Sequence, residues 1–356
     1  MRREDKLKGF ENQVFYIGID VHKRQWHVTI RNNNISVITK VMEPSAEKLS
    51  SYLNRTYPEG SYYSVYEAGF SGYWIDRELK SCGIKNIIVA PTNIPTSTSE
   101  KLRKTDAVDS RKLARELEKG NLVSNYSPTI SEQELRSYIR LRYQLVKDQT
   151  VLKNRIKGYL NFYGHKFPED YQNRHWSKIF IEKLRTLEFS TLLGKKQMNM
   201  YLDSLQSKRT QLLEITREIK NYIKEGGLTE KISLLRTVPG IGLTTAVTLL
   251  SEIIDINRFG NFNKLSSYLG LIPAVRSSDQ KEFVLGLKIH HNKLLRQLLV
   301  EAAWMAIRKD PALLKAYGNY KKRMSPQEAI IRIAKKLTSR IYYVLRTGNS
   351  YEISKG

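Results

Sequence analysis

The sequence predicts an α/β domain at the N-terminus, a long helical arm in the middle and a mainly helical domain at the C-terminus. Short β-branched runs alternate with helical segments between residues 14 and 125, and apolar residues recur every seven positions in two later segments. Helical spacing broken by glycine and proline fills the region after residue 230. The expected domains are 1–128, 129–228 and 229–356, since 356 residues exceed the usual length of one domain.

The N-terminal region carries five strand-like segments, which read VFYIGID, QWHVTIR, ISVITKVM, YYSVYEA and NIIVAP. Two further segments, WIDRELKSCG and DSRKLARELEKGN, have helical spacing and end in basic residues or glycine. Helices that connect strands of one sheet show this pattern. We therefore expect a sheet with helices packed against it.

The arm is predicted from two helices, over residues 131–164 and 201–224. Apolar residues at heptad spacing mark the seams, namely Tyr138, Leu145, Leu152 and Tyr159 in the first helix and Leu205, Leu212 and Ile219 in the second. An antiparallel coiled coil explains this spacing, and so does ordinary core packing. Arg142 and Gln149 interrupt the first seam, which leaves open a contact with nucleic acid or with a loosely packed partner helix.

The composition favours a polyanionic partner. The chain has 60 Lys and Arg against 35 Asp and Glu, a net charge of +25, and basic side chains that neutralise phosphates gain affinity for nucleic acid. Ribosome-associated and membrane-surface proteins share this balance. The sequence has no apolar run of the roughly 20 residues that span a bilayer, and the single Cys82 excludes an internal disulfide. We expect a cytoplasmic protein without a membrane partner.

Four acidic residues are candidates for a metal site. Asp20 and Glu67 each end a predicted strand, while Asp106 and Asp109 lie three residues apart at a predicted helix start. Taken singly, each is better explained as a residue that closes a strand or caps a helix. As a set in so basic a chain, they predict divalent cations, because Mg²⁺ prefers oxygen ligands. Two ions roughly 4 Å apart would suit phosphodiester chemistry.

The same segments resemble a known family. YIGIDVHK, VYEAG and KTDAVDSRKLA are similar to the RuvC-like (RNase H fold) domain of the insertion sequence 110 transposases, also called DEDD transposases or bridge-RNA recombinases. LLRTVPGIGLTTAVTLLSEI resembles the start of their C-terminal transposase domain. The resemblance implies that Asp20, Glu67, Asp106 and Asp109 bind the metal, two Mg²⁺ ions or Mn²⁺, with Lys104 and Thr105 completing the motif. His22 is a usual companion of the first aspartate.

The VPGIG segment lies between two predicted helices and resembles a helix-hairpin-helix turn. Gly240 and Gly242 would let backbone N–H groups approach a phosphate at the start of the following helix. An ordinary tight turn between helices explains the glycines as well.

A segment near residue 277 resembles the second signature of the family. By that resemblance Ser277, with Ser278 adjacent, is the nucleophile and would leave DNA attached through a phosphoserine. The chain has Asp279 where the family usually has glycine, and GLKIHHNKLLR departs from the usual basic, glycine-containing helix start. Four basic residues flank the segment and are expected either to hold phosphates or to be solvated: Arg276, Lys281, Lys288 and Arg296.

The resemblance implies a transposase or site-specific DNA recombinase that acts on the ends of a mobile element. Its expected partners are DNA, a structured guide (bridge) RNA and further copies of the chain in a homodimer or tetramer. Three alternatives stay open at this point: a DNA invertase of the Piv type, a Holliday-junction resolvase that uses only the carboxylates, and a nucleic-acid-binding protein without catalytic activity.

Overall fold

The computed structural model describes residues 9–95, 105–165, 176–278, 281–287 and 291–353, with the backbone alone described for 273–278 and 281–287. Lys104, Asp279 and Lys288 lie outside the described residues. The chain forms two compact units, Met1–Thr129 and Ile130–Gly356. Within the described ranges, no helix combines the length and the apolar character that crossing a membrane requires.

The first unit is a mixed five-stranded sheet with helices, so the predicted α/β class is confirmed. Its strands are β1 Val14–Val21, β2 Trp26–Asn32, β3 Ile35–Met42, β4 Ser61–Glu67 and β5 Lys85–Val89, and its helices are α1 Ala46–Thr56, α2 Trp74–Ser81 and α3 Asp106–Glu118. The strand order is β3-β2-β1-β4-β5. β2 is antiparallel to both β1 and β3, whereas β4 is parallel to both β1 and β5.

The sheet is covered on both faces. Ile17 and Ile19 of β1 are fully buried in a core that also contains Leu49 of α1 and Leu79 of α2. Because neighbouring residues of a strand point to opposite faces, Gly18 faces the other side, where α3 crosses. A Cβ on Gly18 would lie 2.1 Å from the carbonyl oxygen of Ser110 in α3. Glycine at this position therefore allows α3 to lie directly on β1.

Helix α3 is attached to β2 near both of its ends. The Oγ of Ser110 lies 2.8 Å from the Oγ1 of Thr29, and both side chains are buried. Further along, Arg31 donates from Nε to Glu118 at 2.6 Å. Thr105 caps the start of the helix by accepting from the backbone N–H of Val108. These contacts fix where the first turn of α3 lies on the sheet.

The second unit is helical, apart from one hairpin. Its elements are α4 Ile130–Phe162, α5 Lys178–Thr186, α6 Leu192–Glu225, α7 Thr229–Thr237, α8 Leu243–Ile253, α9 Phe262–Tyr268, β6 Pro273–Ser278, β7 Lys281–Leu287, α10 Lys293–Ala306, α11 Pro311–Lys321 and α12 Pro326–Thr347. The mainly helical C-terminal region is confirmed. The antiparallel β6–β7 hairpin was not predicted.

Helices α4 and α6 form the arm and run antiparallel. The hydroxyls of Ser131 and Tyr222 are 3.2 Å apart at one end, and Tyr159 donates to the carbonyl of Gly194 toward the other. α6 begins at Leu192 rather than at the predicted residue 201, because the Thr191 side chain caps it by accepting from the Gly194 N–H. The supercoil itself stays a prediction.

The polar interruptions of the seam are used between the two arm helices. Arg142 Nε donates to the Oγ1 of Thr216 at 3.2 Å, and Gln149 donates to the carbonyl of Lys208 at 3.3 Å. The sequence left open a contact with nucleic acid or with a partner helix. These side chains contact the partner helix.

One apolar core extends across the predicted boundary after residue 228. It contains Ile139 of α4 and Ile219 of α6 together with Leu249, Leu299 and Ile333 from the C-terminal helices. The near end of the arm therefore packs directly against those helices. The division of this unit into an arm and a separate domain stays a prediction.

Candidate metal site and serine hairpin

Asp20 and Glu67 end neighbouring parallel strands. The register of β1 and β4 pairs Gly18 with Val65 and Ile19 with Tyr66, and Asp20 and Glu67 are the next residues along each strand. Parallel strands place their carboxyl ends at the same edge of a sheet, with neighbours about 5 Å apart. The two predicted carboxylates therefore lie side by side at the level where their strands end.

Both carboxylates belong to the face that α3 covers. Asp20 shares a face of β1 with Gly18, against which α3 packs. Glu67 shares a face of β4 with Val65, which packs against Leu113 of α3. The first turn of α3 carries Asp106 and Asp109. The fold thus brings the two strand-end carboxylates and the two helix carboxylates to one region.

His22 lies between two of the aspartates. Its Nδ1 is 3.7 Å from Oδ2 of Asp20, and its Nε2 is 3.9 Å from Oδ2 of Asp106. Among the described residues, these three offer ligand atoms that all lie within 4.8 Å of one another. The Asp20 side chain is 22% exposed and that of Asp106 48%, so an ion at this place would retain access to solvent and substrate.

His27 is a site residue that the sequence reasoning missed. It lies directly across from Asp20 in the antiparallel register of β1 and β2. Its Nε2 is 3.4 Å from Oδ2 of Asp106, and the Nε2 of Gln25 is 3.2 Å away. Only the β1–β2 pairing puts this histidine beside the helix start, since the sequence separates the two by nearly eighty residues.

Asp109 is held by a lysine of its own helix. Its Oδ1 accepts from the Nζ of Lys112 at 2.9 Å, and Lys112 is buried. Burial raises the pKa of Asp20; the Asp106 and Asp109 charges raise it further, while His22 and His27 act in the opposite direction. The carboxylates therefore repel one another electrostatically, which a bound cation would relieve.

The donor set fits a hard divalent cation. Carboxylate oxygens suit Mg²⁺ and Mn²⁺, and an imidazole nitrogen is better accepted by Mn²⁺ than by Mg²⁺. The structure brings candidate ligand atoms of Asp20, His22 and Asp106 together, with Glu67 beside Asp20 and Asp109 one helical turn further on. An ion here would stabilise negative charge developing on a phosphate oxygen.

The predicted nucleophile lies in the second unit, on the β6–β7 hairpin. Ser277 pairs with Glu282 and Ser278 pairs with Lys281 in its backbone register, while Arg276 pairs with Phe283. The serine pair therefore lies at the end of β6, opposite the start of β7. The predicted phosphate-binding Lys281 starts the returning strand, and Lys288 follows that strand outside the described residues.

The two glycines of the VPGIG segment have different surroundings. Gly240 has a φ of +84°, and a Cβ there would lie 2.3 Å from the carbonyl oxygen of Ala302 in α10. Packing against α10 thus explains Gly240 without a ligand. Gly242 is exposed, precedes α8 with no side-chain cap, and has open space around its Cβ position. Of these two glycines, Gly242 is the one that has open space beside an uncapped helix start.

Near the base of the hairpin, a basic cleft of about 700 Å³ opens between α4 and the start of α10. Its lining includes Arg140, Lys147 and Lys293 together with Tyr268 and His291. The predicted phosphate ligand Arg296 lies beside it, with an Nη 3.3 Å from Nε2 of His291. The sequence reasoning did not find this cleft, because Arg140 and Lys147 belong to the distant arm helix.

Two protein-family models match the sequence of this chain. Residues 17–165 match the model of the DEDD-type IS110 proteins, described as a transposase, and residues 232–318 match the model described as the transposase IS116/IS110/IS902 family. The first match contains all four predicted metal ligands, and the second contains Ser277.

Several relatives align over most of the chain. The transposase for insertion sequence element IS1533 of Leptospira borgpetersenii is 25% identical over 81% of this chain and 84% of the relative. The transposase for insertion sequence element IS1111A of Coxiella burnetii is 26% identical over 67% and 64%. The pilin gene-inverting protein of Moraxella lacunata is 27% identical over 70% and 68%. With both models matched in order along it, the chain belongs to the IS110/IS116 family of transposases, enzymes that cleave DNA and exchange its strands.

Proposed function

We propose that this transposase recombines the ends of a mobile element with Ser277 as nucleophile and with metal ions held by Asp20, Glu67, Asp106 and Asp109. The observation that carries the proposal is the meeting of Asp20, His22 and Asp106 within 4.8 Å where β1 ends. Carboxylates this close repel one another, which is a cost without benefit for residues that serve only the fold. A metal site needs such converging carboxylates as ligands.

In the proposed reaction, each bond to phosphorus that breaks is replaced by a new one, so the number of phosphodiester bonds does not change. The Ser277 Oγ loses its proton and bonds to phosphorus as the bond from phosphorus to a bridging sugar oxygen breaks, and that oxygen leaves as a sugar hydroxyl. A hydroxyl from the other DNA then attacks the phosphoserine and releases the serine. The acidic residues would hold divalent metal, either Mg²⁺ or Mn²⁺ and in the proposal two ions, and bound metal would stabilise negative charge on the phosphate.

A RuvC-like (RNase H) fold is part of the proposal for the first unit. The strand order β3-β2-β1-β4-β5, with β2 as the strand antiparallel to its two neighbours, supports it. The carboxylates at the ends of β1 and β4 and at the start of α3 lie where this fold would use them.

DNA is the substrate, and the proposed path for nucleic acid follows the second unit. The net charge of +25, the open amides after Gly242 and the basic cleft near Arg296 support it, with Arg276, Lys281 and Lys288 on or beside the hairpin. A structured guide RNA and assembly into a homodimer or tetramer belong to the proposal through the family resemblance alone.

A DNA invertase is the second candidate function, favoured by the similarity to the pilin gene-inverting protein. Invertases and transposases would share every proposed catalytic residue. A plasmid carrying the chain's own element ends separates them, because inversion keeps the segment in the molecule whereas transposition joins it to a second DNA.

Covalent trapping tests the serine. The purified protein is incubated with nicked element-end DNA and Mg²⁺ or Mn²⁺, denatured, and digested for mass spectrometry. We expect a DNA-linked peptide modified at Ser277, its loss in Ser277→Ala, and its retention in the matched variant Ser278→Ala. Cleavage by Ser277→Ala at wild-type rates would overturn the nucleophile and support a resolvase that uses only the carboxylates. Full recombination by Asp20→Asn would instead indicate a protein that does not need the metal site.

A further inference from the structure

The two ends of the serine hairpin are tied to each other. Tyr268 ends helix α9 just before β6, and Asn292 begins α10 just after β7. The backbone N–H of Asn292 donates to the carbonyl of Tyr268 at 2.9 Å, and its Nδ2 donates to the Tyr268 hydroxyl at 3.1 Å. The Asn292 Oδ1 also caps α10 by accepting from the N–H of Leu295. One side chain therefore closes the base of the hairpin and starts the next helix.

A buried carboxylate, Glu252, contacts both residues that close the base of the hairpin. Glu252, near the end of α8, is 0% exposed. Its Oε2 accepts from the Nδ2 of Asn292 at 2.8 Å, and its backbone carbonyl lies 3.3 Å from the Tyr268 hydroxyl, which donates to it. Glu252 thus contacts the residues on both sides of the hairpin.

The partner that neutralises Glu252 comes from the arm. Arg140 of α4 donates from Nε to Oε1 at 2.6 Å and from Nη2 to Oε2 at 2.8 Å, which is a bidentate pair. Arg136, one turn earlier, lies 3.9 Å from the same carboxylate and donates to the carbonyl of Ser251. A buried carboxylate strongly needs such partners. The charge of Glu252 is therefore satisfied only where α4 stands against the base of the hairpin.

We infer that Glu252 is a positioning residue for strand exchange, which acts with Arg140 and Asn292 to hold the hairpin that carries Ser277 at a fixed place relative to the arm. The inference rests on the proposed nucleophile for its catalytic consequence, although the tie itself involves the backbone of the hairpin base. A planar guanidinium bound at two oxygens fixes both distance and direction, so a displacement of the arm would be transmitted to the hairpin.

The Asn292 side chain makes two contacts that depend on its amide. Asn292 belongs to the altered segment GLKIHHNKLLR, and its amide uses both ends, with Oδ1 on the α10 start and Nδ2 on Glu252. Glycine in its place could make neither contact.

The test is Arg140→Lys in the full-length protein, because lysine keeps the charge and loses the bidentate geometry. A matched control is Arg340→Lys, which alters another pair between an arginine and a buried carboxylate, at Asp310, away from the hairpin. Hydrogen exchange of backbone amides in 273–287 and the yield of the serine–DNA adduct are measured for both variants. We expect Arg140→Lys to speed exchange in the hairpin about tenfold and to lower adduct yield by a similar factor, with Arg340→Lys leaving both unchanged.

Two results would overturn the inference. Unchanged hairpin exchange together with lost adduct would mean that Arg140 contacts the nucleic acid itself. Equal effects of Arg140→Lys and Arg340→Lys would mean that both pairs act only through general stability. Ser277→Ala separates this test from that of the nucleophile: hairpin exchange should respond to Arg140→Lys in the Ser277→Ala background too, whichever residue attacks the DNA.

Discussion

The hydroxyls of Thr29 and Ser110 lie 2.8 Å apart in the interior of the first unit, and they join the strand that carries His27 to the helix that begins with Asp106. Thr29 also lies 3.0 Å from the hydroxyl of Thr39. This buried pair helps to set the distance between His27 and Asp106, because that distance depends on how α3 packs on β2.

Thr29→Val and Ser110→Ala should each lower the free energy of unfolding of the first unit by about 1 kcal/mol, the usual net contribution of a buried hydrogen bond, because the remaining hydroxyl keeps its second partner, the Ala107 carbonyl or Thr39. The double variant should cost less than the sum, with a coupling of roughly 1 kcal/mol. Denaturant unfolding of all four proteins measures this. Strict additivity would show that the two hydroxyls do not interact.

Gly18→Ala should strongly destabilise the first unit. Its methyl group would meet the backbone of Ser110 and Ala114 at 2.1 and 2.4 Å, so α3 must move away from β1. We expect a loss of about 3 kcal/mol or more, as for other overpacked positions, and weaker metal binding because Asp106 moves with the helix. Gly158→Ala is the control, since nothing lies within 4 Å of that position in α4; it should be neutral or stabilising.

Asp20→Asn should stabilise the metal-free protein while abolishing strand exchange. Burial and neighbouring carboxylates raise the pKa of Asp20, so its ionised form costs stability in the folded state. That cost is absent below the ordinary pKa of aspartate and is complete above the raised pKa. The melting temperature of the metal-free variant should therefore exceed that of the wild type by a few degrees at neutral pH, and the difference should vanish in acid. A lower melting temperature at neutral pH would contradict the repulsion.

His22→Ala should change the preference for the metal. An imidazole ligand favours Mn²⁺ over Mg²⁺, so removing it should weaken Mn²⁺ binding by about tenfold and affect Mg²⁺ less, as changes at metal-site residues often do. Titration calorimetry with each ion measures the two affinities. His165→Ala, in the second unit, is the control and should alter neither. An equal loss for both ions would contradict the preference of the imidazole for Mn²⁺, and no loss for either ion would place His22 outside the ligand set.

Much of the first unit follows from local pattern. The strands that carry Asp20 and Glu67 at or near their ends are short runs rich in β-branched and aromatic residues, and the Thr105 cap marks the start of α3, so the sequence predicts both strands and the helix start. His27 could not be found this way, because its place beside Asp106 depends on the register between β1 and β2. Pairing across strands is a tertiary property that periodicity does not contain.

The second unit was harder to predict for the same reason. VPGIG predicts a turn correctly, yet the sequence cannot show that Gly240 packs against α10 while Gly242 faces open space. The serine segment has no strong strand pattern, and beyond its own strand pairing its base is flanked by contacts among Tyr268, Asn292 and Glu252, which lie apart in the sequence. Long-range contacts decide both cases.

The polar positions in the arm have a mechanical consequence. α4 has 33 residues, about 50 Å at the usual rise per residue, so any error in pairing would displace its far end by one or more turns. Sliding α6 by a heptad would separate Arg142 from Thr216 and Gln149 from the Lys208 carbonyl, and would leave polar groups facing apolar neighbours. The pairing of the two helices therefore gives the arm a fixed length. A molecule bound at its far end would lie at a constant distance from the end near the serine hairpin.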